Sequence, residues 1–484
     1  MHRPQRCPPG APITPLIGSP EWSSSIDWND DAKQVVITAL SLIPDVGGIL
    51  GGLLGIFWPN TQVDIWGQIK AQVEALVDQK ITDQVYQQVS EDLQGLKSTM
   101  TLYLNELKNG DAKNILIQWS STRNAFVIAL PHFQSKGYEV LLLPLFAQFA
   151  NMYLALLRDG VAFGQSWGRT PADNTQDIAD LKKAIDDFVK YCQVWVPAGH
   201  DQVANKAPST IYDGEPYRTI NRYDRHMTLT VSDFVEVWNY FDVTIFPNGK
   251  KAMLDREIYT DPYGGIDHGN TGFSLWSPPP TQFPTNVTIW AFDELDAYQL
   301  TYPVGGGPDG ITTTGRRGDQ PHNGFGGSNQ APHGGIFDIQ PNNPIVGVRT
   351  TYQEWTGVIG MQFQFYDGTT TYMLGGRDVG TNFISVDTGM ICFTNEALSS
   401  MQTHGLSQKF GSIDMIVYGF KYWVSPKAAL RSIQNLYITS PQEHAAADFA
   451  QVSPSLSATP ITDDLKAARQ AYWASIKARA EALK

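Results

Sequence analysis

Hydrophobic and polar positions divide the chain into two regimes. From Trp66 to Leu107 the apolar positions Trp66, Ile69, Val73, Val77, Ile81, Val85, Val89, Leu93, Leu96, Met100, Tyr103 and Leu107 follow one another at steps of three or four. That spacing predicts one or two long amphipathic helices laid against an apolar surface. Asp31–Trp58 predicts a kinked, buried helix, interrupted at Pro44-Asp45, with Gly47, Gly51 and Gly55 four apart for close helix approach. Lys113–Leu130, Asp173–Val196 and Leu229–Tyr240 predict further helices. Between Glu139 and Arg158 the pattern changes: Val140–Leu157 is an 18-residue run without charge, broken only by Pro144, Gln148 and Asn151. At about 1.5 Å per residue it gives a helix of roughly 27 Å, apolar on every face, which must be enclosed by other helices or by lipid. These elements predict a six-to-seven-helix bundle with the apolar helix at its centre.

Near Tyr259 the pattern switches. Gly and Pro become frequent, and Met361–Tyr366 alternates into Asp367-Gly368 and resumes at Thr369–Leu374, a hairpin signal. Ile345–Thr351, Phe383–Asp387, Met390–Thr394 and Ile413–Phe420 predict further strands, and so an all-β domain after the bundle. Asp463–Leu483 predicts a short terminal helix. The resulting organisation is multidomain α and β: a Pro-rich leader (1–28), a helical domain (29–258), a β domain (259–430) and an extension (431–484).

Composition narrows function by exclusion. A net charge of −13 disfavours nucleic acid and simple adsorption to anionic lipid. The three cysteines, Cys7, Cys192 and Cys392, give neither a disulfide framework nor a zinc spacing. Residues 1–25 hold no continuous apolar core, so no secretory signal peptide is expected. No nucleophile elbow, phosphate loop or zinc-protease motif occurs, so neither an enzyme nor a cofactor is expected. The positive signal is the pair of helices 113–130 and 140–157. The first carries Asn114, Gln118, Arg123 and Asn124, suited to facing water. The second carries Leu142, Leu145, Phe149, Asn151, Leu154 and Leu157, and the turn at Ser135-Lys136-Gly137 would lead insertion into a membrane.

The segment LPHFQSKGYEVLLLPLFAQFANMYLALLRDGVAFGQSWG resembles the central helix of the three-domain insecticidal Cry delta-endotoxins. RYDRHMTLTVSDFVEVWNYFD (222–242) resembles their last bundle helix, and LDREIYTDPYG (254–264) the strand entering their second domain. IPDVGGILGGLLGIFWPN (43–60) resembles their early helices and also the larger component of binary Pir-type insect toxins. The resemblance covers roughly residues 30–300. It implies a pore-forming bundle whose hairpin 112–158 inserts, followed by a three-sheet β-prism that recognises a receptor on gut epithelium. GGIFDI (334–339) and residues 345–376 resemble the second crystal-toxin domain and jacalin-type lectins. Candidate receptor-binding loop residues are Asp309, Arg316, Arg317, Asn323, Phe325, Trp355, Asp367 and Gly368. No room remains after Trp423 for the third domain, which favours the two-domain Pir-like plan with a small partner subunit. The implied partners are host membrane, a protein or glycan receptor, and further copies of the chain in an oligomeric pore. The implied source is a producing, bacterial cell that releases the protein by lysis or as inclusions. The alternative is a lectin-like adhesin whose helical half is a scaffold, or one component of a binary toxin.

Overall fold

The computed structural model describes residues 28–41, 46–59, 63–207, 217–250, 254–264, 278–291, 294–318, 334–353, 357–376, 386–406 and 413–423. Residues 1–27 of the leader and the whole C-terminal extension (431–484), with the expected terminal helix, lie outside the described residues.

The N-terminal half is helical: α1 (Trp28–Leu40), α2 (Gly48–Phe57), α3 (Ile65–Val77), α4 (Asp83–Asn109), α5 (Ala112–Phe133), α6 (Glu139–Phe163), α7 (Pro171–Lys206), α8 (Tyr217–Met227) and α9 (Asp233–Trp238). A π-helical turn, Thr228–Ser232, joins α8 to α9, so eight separate helices are described where six or seven were expected. The difference lies at the N-terminal end, where 28–57 forms two helices rather than one kinked helix. The 66–107 repeat is also split, because Asp78 takes a left-handed backbone (φ 49°). Local chemistry sets the other ends. The Asp64 carboxylate accepts the Gly67 N–H at 2.9 Å to open α3. Thr170 and Asp173 form a reciprocal capping box ahead of Pro171 at the start of α7. At its other end the burial spacing continues through Gly199 and Val203, and α7 runs ten residues beyond its expected end at Val196.

The expected glycine spacing works differently from its sequence logic. A side chain at Gly52 would meet Val35 of α1 at 2.7 Å, and one at Gly47 would meet Leu104 and Leu107 of α4, whereas Gly55 faces open space. Close approach therefore falls on Gly47 and Gly52.

Helix α6 is the axis of the bundle, with α2, α3, α5, α7 and α9 packed around it. Every residue from Val140 to Val161 is buried. Its run of Leu, Phe and Ala contributes to one continuous core that extends from Trp28 to Leu254.

The C-terminal half forms three antiparallel sheets around a second core. In the first, β13 (Ile413–Tyr422) pairs with β1 (Glu257–Tyr259), β2 (Tyr263–Gly264) and β12 (Glu396–Leu406). In the second, β7 (Ile345–Gln353) and β8 (Gly357–Phe365) pair with each other and with β9 (Leu374–Gly375), β10 (Val386–Asp387) and β11 (Ile391–Cys392). In the third, β3 (Asn286–Ala291) lies between β4 (Leu295–Thr301) and β6 (Gly335–Asp338), and β5 (Arg317–Gly318) flanks β4. Val287, Ile289, Tyr298, Val348, Phe363, Met401 and Tyr418 from the three sheets meet in that core, the arrangement of a β-prism. The Asp367-Gly368 turn joins β8 to its return segment, with Phe365 N–H donating to Thr369 O at 2.8 Å.

Candidate membrane-insertion hairpin

Helices α5 and α6 are joined by residues 134–138. The Asp111 carboxylate caps α5 by accepting the Asn114 N–H at 2.9 Å. At the tip, Gly137 takes φ 84°, a backbone that a side chain would strain, and its N–H donates to the Glu139 carboxylate at 2.8 Å. Pro131 and Pro144 flank the tip, one near the end of α5 and one near the start of α6.

The two arms share an aromatic seam. Phe126 stacks on Tyr153 with ring centroids 5.1 Å apart, and Phe133 lies 4.5 Å from Phe149. Trp119 donates its indole N–H to Leu156 O at 2.8 Å. A Cβ at Gly160 would fall 2.2 Å from the Trp119 ring, so only glycine admits the indole there. The carbonyl that Trp119 reaches already belongs to the helix ladder, so the contact adds no unmet group to the apolar arm.

Polar atoms inside α6 are few, and most are matched. Asn151 donates to Gln148 Oε1 at 3.0 Å and accepts the Trp238 indole N–H at 2.8 Å, while Gln148 Nε2 is buried without a partner. At the far end Asp159 is a hub: its Oδ2 accepts Tyr103 Oη–H of α4 and the Gly47 N–H that precedes α2, each at 3.0 Å. Burial and the adjacent Asp159 charge push the Tyr103 phenol well above its ordinary range.

The expected water-facing residues of α5 do not share one face. Asn114 and Asn124 are exposed, together with Lys113, Ile117, Val127 and Ile128, so beyond Lys113 in the first turn the outer face carries no charge and is not strongly polar. Gln118 lies half-buried toward α4. Arg123 turns the other way and pairs with Asp177 at 3.3 Å and with Asp180 of α7. Asp177 also binds Arg169 at 2.7 Å, and the two guanidiniums lie over Trp119. In this state Arg123 is therefore a tie between hairpin and bundle. Leu142, Leu145, Phe149, Leu154 and Leu157 are all buried, as the enclosed-helix reading requires.

A different chemistry joins the helical half to the sheets. Lys33 Nζ of α1 lies 2.6 Å from Asp233 Oδ2 of α9. Asp233 receives two hydrogen bonds from Arg256 (2.8 and 2.6 Å), and Arg256 makes two more to Glu396 of β12 (both 2.6 Å). All four residues are almost fully buried. Burial alone would raise the Asp233 carboxyl, but Arg256 and Lys33 outweigh it and hold it below its ordinary value. Nearby, Arg222 and Arg225 of α8 converge on buried Asp261 at 2.7 and 3.2 Å. Sequence reasoning missed this seam; a lysine on the buried side of α1 was its only local sign. It missed the Asp159 hub too, although Arg158-Asp159 directly ends the charge-free run.

The receptor-loop candidates separate by sheet. Asp309 (φ 53°) sits exposed in the turn Pro308–Gly310 after β4. Arg317 is exposed on β5, and Arg316 lies over the Trp290 ring of β3 at 5.2 Å, all in the third sheet. Asp367 and Gly368 belong to the second sheet, where Asp367 accepts from Thr369 (2.6 Å) and Asn343 (3.0 Å). Asn323, Phe325 and Trp355 lie outside the described residues. Among the described residues no cluster of His, Cys, Asp and Glu gathers to hold a metal.

Residues 35–242 match the family of the delta endotoxin, N-terminal domain. The pesticidal crystal protein Cry26Aa of Bacillus thuringiensis subsp. finitimus is 32% identical over 261 residues, covering 50% of this chain and 22% of the relative. Cry9Ca of subsp. tolworthi is 31% identical, covering 51% of this chain and 23% of the relative. The chain thus spans under a quarter of the length of these relatives. Among solved structures, the Bacillus thuringiensis insecticidal crystal protein Cry7Ca1 superposes with a TM-score of 0.64 at 21% identity, over 82% of this chain and 75% of the other. PirB superposes with a TM-score of 0.61 at 13% identity, over 81% of this chain and 95% of the other. At these identities the two superpositions speak for the fold.

Proposed function

We propose, from the premise that residues 35–242 belong to the delta-endotoxin N-terminal domain family, that this protein is an insecticidal toxin whose α5–α6 hairpin enters a host membrane to form a pore. The observation that carries the reading is α6 itself: a buried helix of 25 residues, uncharged through the 18 residues Val140–Leu157, and long enough to cross a hydrocarbon layer. Full burial of such a helix is equally what a soluble core requires. The family match of residues 35–242 and the exposed face of α5, uncharged beyond Lys113 in its first turn, favour the mobile reading.

In this mechanism the sheet half docks on a cell-surface protein or glycan through its loops, Asp309, Arg316, Arg317, Asp367 and Gly368 being candidates. The Lys136-Gly137 tip then leads. Helix α6 exchanges its helical neighbours for lipid, and the aromatic seam lets α5 travel with it. Asn114, Gln118, Asn124 and a released Arg123 would face water in an oligomer. No covalent step or cofactor is involved. Release of inclusions from a bacterial producer is the setting that the crystal-protein relatives suggest.

The test is dye release from receptor-bearing vesicles with a Thr99→Cys/Thr122→Cys variant. Thr122 Oγ1 lies 3.1 Å from Thr99 O, so a disulfide there would tie α5 to α4. Release is expected with the reduced protein and expected to vanish on oxidation. Equal release from both forms would exclude hairpin departure. A second reading, in which a partner chain is required, draws on the fold match spanning 95% of PirB. Release by the protein alone would remove it.

A further inference from the structure

At the junction of α5 with α7 the hairpin must part from a helix that stays behind, and the charges there are shared unequally. Asp177 of α7 is almost fully buried and accepts from two guanidiniums. Arg169, which lies outside the hairpin, grips both of its oxygens: Nε donates to Oδ2 at 2.8 Å and Nη2 to Oδ1 at 2.7 Å. A parallel fork of this kind is the strong form of carboxylate binding. Arg123 of α5 reaches the same Oδ1 with a single N–H at 3.3 Å, long for a charge-assisted bond. Its other contact is Asp180, which is only half-buried.

Two consequences follow from this placement. Each group that departure separates has a second partner on its own side of the break. Asp177 keeps the Arg169 fork, and Asp180 keeps Gln176, whose Nε2 donates to it at 2.8 Å. Arg123 keeps the Trp119 ring of its own helix, 5.5 Å away, and the neighbouring Tyr153 hydroxyl of α6, whose pKa burial raises and the Arg123 charge pulls back. The second consequence is crowding. Both guanidiniums share one acid oxygen and lie over one indole, at 5.5 and 5.6 Å, so each repels the other and the more loosely held one is weakened.

We propose that Arg169 is a resident competitor for Asp177, which keeps the Arg123 tie weak and lets the hairpin leave without stranding a buried acid. The inference rests on the hairpin reading above and adds to it what sets the ease of departure.

The experiment places an environment-sensitive fluorophore at Lys136→Cys on the hairpin tip of the full chain. The labelled protein is mixed with receptor-bearing vesicles of phosphatidylcholine and phosphatidylethanolamine. The rate of the blue shift is then set beside stability in urea. Arg169→Ala should lower the urea midpoint, because the fork is lost. It should nevertheless slow the shift about tenfold, because Arg123 becomes the sole cation on a buried acid. A purely structural role for Arg169 moves the rate the other way, since a looser bundle frees the hairpin sooner. Adding Asp177→Asn to Arg169→Ala should bring the rate back to within about twofold of the parent. Arg123→Gln alone should quicken it. If the alanine variant does not fold, Arg169→Lys carries the test: it keeps the charge without the fork, and a rate below the parent's is expected. An Arg169 variant that shifts as fast as the parent, or faster, overturns the proposal and leaves the hairpin standing. A parent whose residue 136 label ignores the vesicles ends the hairpin reading, and the proposal falls with it.

Discussion

The interior of the helical half and its seam with the sheets solve the same problem with opposite materials. Around α6 the contacts are dispersion and hydrophobic burial, with Asn151 and Gln148 the polar exceptions along 18 uncharged residues. At the seam, Lys33, Asp233, Arg256 and Glu396 place four ionisable groups in contact, out of water. Apolar contacts are non-directional, and lipid can replace them at little cost. Paired buried charges are directional, and separating them strands each partner unless water reaches both. The bundle interior is thus exchangeable, whereas the seam holds one geometry.

The strongest challenge to this contrast is Asp233→Ala. It leaves Lys33 and Arg256 buried without their shared carboxylate, and a loss of about 3–5 kcal/mol is expected in urea unfolding. A much smaller loss would mean that water already reaches the seam. Leu154→Ala probes the other side. With Leu154 fully buried on α6, truncation should cost about 2–4 kcal/mol through lost transfer energy and a cavity, again read from the urea midpoint. The seam variant should be sensitive to salt and pH, and the core variant to neither.

A third probe uses His226, beside the seam. Burial, with Arg225 next to it, lowers its pKa from 6.5 to about 4, so the folded protein holds the ring neutral. The unfolded chain takes up the proton first as pH falls. This contribution to stability is therefore complete above pH 6.5, erodes below it and levels off near pH 4, a loss of roughly 3 kcal/mol. His226→Gln should flatten that part of the pH–stability curve. The smallest effect is expected at Lys183–Asp187, an exposed i,i+4 pair on α7. Lys183→Ala should cost less than about 0.5 kcal/mol, fixing the baseline for a charge that neither region buries.

What the sequence made legible follows the same division. Helix α6 announces itself because nothing polar interrupts its burial, and the 66–107 repeat because one face alone is apolar. Strand β12 gives no such signal: Ser399, Ser400 and Gln402 are buried beside Ala397, Leu398 and Met401, so burial and hydrophobicity part company. Ser399 hydroxyl donates to Glu257, a carboxyl that burial raises above its ordinary value. Long-range polar pairing of this kind leaves no periodicity. Arg123 is the corresponding case in the candidate site. Its place on a helix facing water was reasonable locally, but two acids of α7, 54 and 57 residues downstream, decide where it points.

Trp119 gives the molecule an optical marker of its own. Its N–H bond to Leu156 lies within the hairpin, as does the guanidinium of Arg123, whereas that of Arg169 belongs to the rest of the bundle. A hairpin that leaves intact should strip one cation from the ring and keep the hydrogen bond; a hairpin that splays should lose both. Fluorine placed on that one indole would resolve the two histories as separate resonances, and so record the order of events without any attached dye.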